Sequence, residues 1–211
     1  MQIQLENLGK KFGREWIFRM LNYTFDEANP VVISGSNGSG KSTLLQVISG
    51  SMMEGEGKII YSHEGKVIPQ EEIYQYISYA SPYLELMEDF TLSESISFHG
   101  KFKSWRNELT AAKVLERSGL AYSRDKQLKN FSSGMKQRVR LLLAILSDTP
   151  LLLLDEPCSN LDANAMEWYG ELIREHGKDR AIIVCSNQVK QEYFFCTEEL
   201  KIEDFKPVVR A

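Results

Sequence analysis

Residues 35–43 read GSNGSGKST and directly follow a short apolar run at residues 31–33. The spacing of two glycines, a lysine and a serine in this stretch matches G-x-x-x-x-G-K-[ST], the pattern of a phosphate-binding P-loop. Glycine lets successive backbone amides approach phosphate oxygens closely, and a helix starting near Ser42 adds the positive end of its dipole. The stretch therefore predicts a triphosphate site formed by Gly35, Ser36, Asn37, Gly38, Ser39, Gly40, Lys41, Ser42 and Thr43.

Four side chains suit the chemistry of a bound triphosphate. Lys41 is placed to reach the β- and γ-phosphates, and the Ser42 hydroxyl is placed to bind Mg²⁺. In LLLLDEP, Asp155 ends an apolar run and is a candidate Mg²⁺ ligand through water, while Glu156 is a candidate for polarising the water that attacks the γ-phosphate. Paired acids after a strand also occur in ordinary solvated turns, but the presence of the P-loop favours the catalytic interpretation.

Short apolar runs separated by amphipathic stretches predict an α/β fold with a P-loop core. Apolar runs that barely alternate with polar residues are typical of strands buried on both faces of a mostly parallel sheet. We expect such strands at Val31–Ser34, Ile77–Ala80, 151–154 and 181–185, and helices at 42–49, 109–118, 135–146 and 163–175.

Two other parts of the chain differ from this alternating pattern. The first 30 residues or so read as short strands, and residues 58–61 and 66–68 read as a hairpin around His-Glu-Gly, which together predict an N-terminal antiparallel layer. Residues 83–130 read as mainly helical, with a capping box at 91–94 and Ser104 as a candidate start of a further helix. We expect a single domain, 1–211, whose core (1–82 and 131–211) carries this segment as an inserted helical subdomain.

Composition narrows the classes of function. The 211 residues carry a net charge of -4, which argues against a general nucleic-acid surface. Three cysteines without paired spacing indicate free thiols in a reducing compartment. The first residues lack the apolar segment of a signal peptide, and no apolar run approaches the roughly 18–20 residues that cross a bilayer. We expect a cytoplasmic protein, and we expect its three histidines at the surface.

The order of motifs resembles the ATP-binding cassette (ABC) family, the nucleotide-binding subunits of ABC transporters, over nearly the whole chain. FSSGMKQR at 131–138 resembles the family signature LSGGQ, and it precedes the stretch that ends at Asp155 and Glu156. Residues 159–162 resemble the D-loop, and Phe12 lies where the family stacks an aromatic ring on adenine. The signature is the most specific of these motifs because other P-loop ATPases lack it.

The resemblance implies ATP and Mg²⁺ as cofactors and a head-to-tail dimer of ATPase heads, either a homodimer or a heterodimer. In the family, the signature binds the γ-phosphate held by the other head, which implies this role for Ser132, Ser133 and Gly134. The helix predicted after them supports an anion site, because its first backbone amides are free to donate. The resemblance further implies an integral membrane transporter subunit as partner, with the chain at the inner face of the membrane.

Two positions depart from the family pattern. The family glutamine after the strand at Ile77–Ala80 is replaced by Ser81-Pro82, and the nearest glutamine, Gln75, lies at the wrong end of that strand. The family's switch histidine is replaced by Asn187, which can donate and accept hydrogen bonds but cannot become cationic. With Lys41 and Glu156 retained as catalytic residues beside Asn187, we predict slow hydrolysis of ATP.

Two functions remain open at this point. The chain is either the ATPase subunit of a transporter, with the 83–130 segment contacting the membrane subunit, or an ABC-type module that dimerises on ATP with impaired hydrolysis. For the first, the aromatic residues of this segment either form an exposed groove for the membrane subunit or pack in the core of the segment: Tyr83, Phe90, Phe98, Phe102 and Trp105. Relatives that act in chromosome maintenance or translation are disfavoured, because the chain has neither a long heptad insertion nor a second cassette.

Overall fold

The computed structural model describes residues 1–207 and contains two β-sheets. The strands are β1 (Gln2–Phe12), β2 (Glu15–Phe25), β3 (Val31–Ser34), β4 (Glu56–His63), β5 (Lys66–Ile68), β6 (Ile77–Ala80), β7 (Leu151–Asp155), β8 (Ala181–Ser186) and β9 (Glu198–Lys201). The α-helices are α1 (Lys41–Ile48), α2 (Leu92–His99), α3 (Ala111–Arg117), α4 (Ser133–Leu146), α5 (Ala163–His176) and α6 (Lys190–Tyr193). The predicted α/β class with a parallel sheet and an antiparallel layer is confirmed.

The parallel sheet brings the ends of separate strands to one edge. Its order is β6-β7-β8-β3-β9, and every neighbouring pair in it is parallel. Ser34 pairs with Ser186, and Asp155 pairs with Cys185, so β7, β8 and β3 end side by side. The segments that leave these strands therefore meet at the carboxyl edge of the sheet, where ligands bind in open α/β sheets.

The antiparallel sheet has the order β2-β1-β4-β5. The prediction of short strands before residue 30 is wrong in length, because β1 and β2 each run for 11 residues with register shifts along the pair. The predicted hairpin is confirmed: His63 pairs with Lys66 across a turn in which Glu64 and Gly65 both have positive φ, at 50° and 76°. Two positive φ values at the turn are what a two-residue hairpin of this hand requires.

Alternate residues of β7 pack into two different apolar clusters. Leu151 and Leu153 belong to the cluster that includes the antiparallel sheet and α1, whereas Leu152 and Leu154 belong to the cluster that includes α4 and α5. The strand is thus covered by apolar side chains on both faces, which explains why its sequence is apolar without alternation.

The segment between β6 and α4 contains α2, α3 and short 3₁₀ turns. The predicted capping box is present: Glu94 N donates to Thr91 Oγ1 at 3.2 Å, and Thr91 N donates to Glu94 Oε2 at 2.8 Å. Ser104 does not start a helix, because the next α-helix begins after Thr110, which caps it. Leu92 and Val114 of this segment share the apolar cluster of α4 and β7. Its treatment as a separate subdomain stays a prediction.

In residues 1–207, no helix combines the length and apolar character that crossing a membrane requires. All three cysteines are free, and Cys158 and Cys185 are buried. The prediction of surface histidines is wrong for His176, which is 4% exposed, and His99 is half-buried.

Candidate functional site

The P-loop sequence forms a tight connection between β3 and α1. The residue before α1, Gly40, has a φ of 108°, and a Cβ on it would lie 2.3 Å from Ile17 Cγ2. Any side chain at this position would be both strained and in collision with β2. Because Gly40 leaves room, the first turn of α1 lies under β2 with its amides open to a ligand at the helix N-terminus.

Lys41 is 5% exposed and lies folded over the loop. Its Nζ donates to Gly35 O at 2.9 Å and to Ser36 O at 3.0 Å. A lysine ammonium has three protons, so one donor remains for a phosphate oxygen in the same place. The geometry fits the predicted role of Lys41 at the β- and γ-phosphates.

Glu203 holds the outer side of the same loop. Its Oε1 accepts hydrogen bonds from Ser36 N at 3.0 Å and from Ser36 Oγ at 2.6 Å. These two bonds lower the pKa of Glu203. This contact could not be predicted from local sequence patterns, because the two residues lie 167 positions apart.

Asp155 is 1% exposed at the end of β7 and accepts two hydroxyl groups. Ser42 Oγ donates to Asp155 Oδ1 at 3.0 Å, and Ser81 Oγ donates to Asp155 Oδ2 at 3.3 Å. Burial raises the pKa of Asp155, and the bond from Ser42 opposes the shift. Ser81, which replaces the family glutamine, therefore contacts the candidate metal ligand.

The oxygen atoms around Asp155 fit a Mg²⁺ ion. Hydroxyl and carboxylate oxygens are the hard ligands that Mg²⁺ prefers, and this ion commonly keeps waters and phosphate oxygens as its other ligands. In residues 1–207 no group of three or more acidic, histidine or cysteine side chains is arranged to hold a metal. An ion at Ser42 and Asp155 would thus need the triphosphate and water to complete its coordination.

Glu156 and Asn187 are in direct contact. Asn187 Nδ2 donates to Glu156 Oε1 at 2.6 Å, and Asn187 Oδ1 is buried without a hydrogen-bond partner in the described part of the chain. Glu156 adopts a φ of 44°, which is uncommon for a residue with a side chain and turns the chain sharply after β7. The sequence predicted both residues for the site, and the structure brings them together.

Residues 37–43 of the P-loop lie with Glu156 and Asn187 around one open cleft of about 380 Å³, whereas Gly35 and Ser36 do not line it. An adjoining cavity of about 630 Å³ is lined by Arg14, Glu15, Trp16, Ile17, Gly38, Ser39, Lys206 and Pro207. The cleft itself is lined by Ile17, Asn37, Gly38, Ser39, Gly40, Lys41, Ser42, Thr43, Tyr83, Glu156 and Asn187.

Phe12 lines neither of these two cavities. It is 51% exposed at the end of β1, with Lys10 Nζ 5.4 Å from its ring centroid. Its predicted contact with adenine stays a prediction. Trp16, which the sequence analysis did not single out as a ligand contact, is an aromatic side chain in the adjoining cavity.

The signature residues lie at the exposed start of α4, away from the cleft lining. Ser132 Oγ accepts from Met135 N at 3.2 Å and so caps the helix. Ser132 and Ser133 are exposed. A Cβ on Gly134 would lie 2.7 Å from Asn160 O, so the signature packs closely on the 159–162 loop of the same chain. This placement leaves the signature serines open to a second molecule.

Comparison with known proteins agrees with the motifs. The family model described as ABC transporter matches residues 18–159. The cytochrome c biogenesis ATP-binding export protein CcmA of Brucella abortus is 29% identical over 189 residues, which cover 90% of this chain and 86% of that protein. The linearmycin resistance ATP-binding protein LnrL of Bacillus subtilis is 27% identical over 207 residues, covering 96% of this chain and 66% of that protein.

Solved structures share the fold. A putative ABC transporter ATP-binding protein from Pyrococcus furiosus superposes with a TM-score of 0.81 at 19% identity, covering 98% of this chain and 100% of that chain. The dimeric ABC transporter cassette MJ0796 superposes with a TM-score of 0.77 at 23% identity and covers 95% of both chains. Together with the match of the family model over most of the chain, these findings show that the chain belongs to the ABC transporter family, as an ATP-binding subunit.

Proposed function

We propose that the chain hydrolyses ATP slowly, between two heads, and so drives a separate membrane subunit. The observation that carries the proposal is the hydrogen bond of 2.6 Å between Asn187 and Glu156, beside the P-loop in one cleft. This bond supports the proposal because it would hold a carboxylate in one orientation next to the expected position of the γ-phosphate.

The P-loop binds the triphosphate through its backbone amides and Lys41. The backbone amides of residues 35–43, at the N-terminus of α1, donate hydrogen bonds to the phosphate oxygens. The third N–H of the Lys41 ammonium donates a hydrogen bond to the β- or γ-phosphate. Ser42 and Asp155 would hold a Mg²⁺ ion, which would neutralise negative charge on the phosphates. Ser81 would keep the Asp155 carboxylate oriented toward it.

Glu156 acts as the general base for the attacking water. Asn187 donates a hydrogen bond to one of its carboxylate oxygens and so fixes the orientation of the base. A histidine at this position would supply a positive charge during the reaction, and asparagine does not. If that charge contributes to catalysis, its loss slows turnover by up to about 100-fold, or about 3 kcal/mol.

A second head completes the site. Ser132, Ser133 and the first amides of α4, at Gly134, would bind the γ-phosphate held by the other head. The exposure of the two serines supports this arrangement. The heads form a homodimer, or each head pairs with a related chain. A heterodimer tolerates one slow site more easily, because the other chain contributes to a second site.

The 83–130 segment would contact the membrane subunit and keep the chain at the cytoplasmic face of the membrane. Of the five aromatic residues considered for a groove, only Tyr83 and Phe102 are exposed, at 80% and 73%. Tyr83 lines the nucleotide cleft, and Trp105 stacks on His99. Phe102 and its neighbour Phe98 are therefore the better candidates for the contact. The names of two relatives, an export protein and a resistance protein, favour export.

Two variants test the proposal. Glu156→Gln should abolish turnover while leaving ATP binding intact, because only the base is lost. Lys41→Ala should weaken ATP binding itself. Equal turnover in wild type and Glu156→Gln would refute hydrolysis at this site. Tight ATP-dependent dimers without any turnover in the wild type would instead indicate the impaired module, an alternative that gains no support from the relatives.

A further inference from the structure

Glu192 is a buried carboxylate that the proposed reaction does not use. It lies in α6, four residues long, and is 3% exposed. Within residues 1–207 no lysine, arginine or histidine forms an ion pair with it. Burial raises its pKa, and the bonds that it accepts oppose the shift. An unpaired buried carboxylate costs folding free energy, so its presence calls for an explanation.

Its two carboxylate oxygens join two loops of the site. Oε1 accepts from Cys158 N at 3.1 Å, and Oε2 accepts from Ser186 Oγ. Cys158 follows Glu156 by two residues, and Ser186 directly precedes Asn187. The carboxylate therefore connects the chain after the candidate base with the chain before its hydrogen-bond partner.

Both ends of this connection are held by further bonds. Gln137 Nε2 of α4 donates to Pro157 O at 3.1 Å, so the Pro157–Cys158 peptide is held on its carbonyl side by α4 and on its amide side by Glu192. Ser186 Oγ also accepts from Val189 N at 3.2 Å. The Tyr169 hydroxyl donates to Glu192 O at 2.8 Å and ties α6 to α5.

We propose that Glu192 is a positioning residue for ATP hydrolysis, which holds the Asn187 loop against the Glu156 loop so that these two side chains meet. The inference rests on the proposed function of Glu156 and Asn187. Without Glu192 the Cys158 amide and the Ser186 hydroxyl lose their common acceptor. The two loops are then joined only by the backbone pairing of β7 with β8, which includes the bond from Glu156 N to Cys185 O at 2.9 Å. The Asn187–Glu156 contact then forms only part of the time, while the P-loop remains intact.

The test compares Glu192→Ala with Tyr169→Phe in the full-length protein. Tyr169→Phe removes a hydrogen bond to the same residue but leaves the carboxylate in place. We expect Glu192→Ala to lower kcat by up to about tenfold with little change in the affinity for MgATP, because misplaced catalytic groups slow chemistry rather than binding. Tyr169→Phe should keep kcat near the wild-type value.

A second comparison separates positioning from general destabilisation. In an Asn187→Ala background, Glu192→Ala should have almost no further effect on kcat, because the contact that it supports is already lost. The same fold-loss in both backgrounds, or an unchanged kcat in Glu192→Ala, would overturn the proposal. If Glu192→Ala does not fold, Glu192→Gln serves in its place, with a smaller loss and the same dependence on Asn187.

The two proposals fail in different ways. Failure of the Glu192 proposal leaves Glu156→Gln inactive, because the base is still required. Failure of the proposed function leaves Glu156→Gln as active as the wild type, whatever Glu192 does.

Discussion

The Asn187 amide lies 2.6 Å from the Glu156 carboxylate, although the two residues follow different strands and are 31 positions apart. β7 and β8 are neighbours in the parallel sheet, so the residues after them meet at its carboxyl edge. A neutral donor at this distance orients the carboxylate without the charge that a histidine would bring. In the proposed function, the carboxylate of Glu156 accounts for hydrolysis and the uncharged side chain of Asn187 accounts for its low rate.

Asn187→Ala should lower kcat about tenfold with little change in KM, because an orienting hydrogen bond is lost while the phosphate site is untouched. Phosphate release at saturating ATP measures the effect. Lys190→Ala, an exposed change three residues further on, is the matched control and should behave as wild type. A rise in KM without a change in kcat would show that Asn187 binds substrate rather than orienting the base.

Gly134→Ala should prevent ATP-dependent dimerisation and turnover while leaving MgATP binding to the monomer unchanged. The added Cβ would lie 2.7 Å from Asn160 O, so either the start of α4 or the 159–162 loop must shift. Gly170→Ala is a fitting control, because it also adds a methyl group in a helix but meets nothing closer than 3.5 Å. The dimer is measured by light scattering in the presence of ATP, with Gly134→Ala combined with Glu156→Gln so that the bound ATP is not hydrolysed. Intact dimers of Gly134→Ala would contradict the role of the signature.

Phe12→Ala should weaken ATP binding about tenfold if the ring stacks on adenine, since such stacking contributes about 1–3 kcal/mol per base. Binding of inorganic triphosphate, which has no base, should stay the same. Trp16→Ala is the comparison, because Trp16 lines the cavity beside Gly38 and Ser39. If only Trp16→Ala weakens ATP binding, the base lies against Trp16, and the prediction for Phe12 is wrong.

The sequence predicted the sheet edge well because buried parallel strands carry continuous apolar runs. The bounds of β3 and β6 agree with the prediction, and β7 and β8 extend it by one residue each. The P-loop, Asp155 and Glu156 could be placed because they lie at the end of one of these strands or directly after it, and the resemblance to the ABC family indicated Asn187 after the last of them. Local spacing is enough for this, since the sheet itself supplies the long-range contact.

Contacts formed by single acidic residues far along the chain could not be predicted. Glu192 and Glu203 have the composition and local pattern of surface residues, yet one is buried and the other holds Ser36. Their partners lie 34 and 167 positions away in the bonds to Cys158 and Ser36. The hydrophobic periodicity of the sequence does not indicate such a contact, because the contact depends on how α6 and the segment after β9 pack on the folded sheet.

The burial of His99 predicts that the folded protein loses stability in mild acid. It stacks on Trp105 with ring centroids 5.2 Å apart, and its Nε2 lies 2.7 Å from Ser147 Oγ. Because Ser147 Oγ already donates to Leu143 O, His99 is the donor in this pair. Burial, with a smaller effect from Lys103, lowers the pKa of His99 to about 4. The unfolded chain therefore binds a proton near pH 6.5 that the folded protein does not accept until about pH 4.

Stability from this group is complete above pH 6.5 and falls as the pH drops toward 4, by roughly 1–2 kcal/mol between pH 6.5 and pH 5. His99→Gln should show a smaller loss over that range in urea unfolding, although it is less stable at pH 7 through weaker packing on Trp105. Ser97→Ala, an exposed change in the same helix, should follow the wild-type pH dependence. Parallel curves for wild type and His99→Gln would mean that the pKa of His99 is the same in the folded and unfolded protein, which would contradict the prediction.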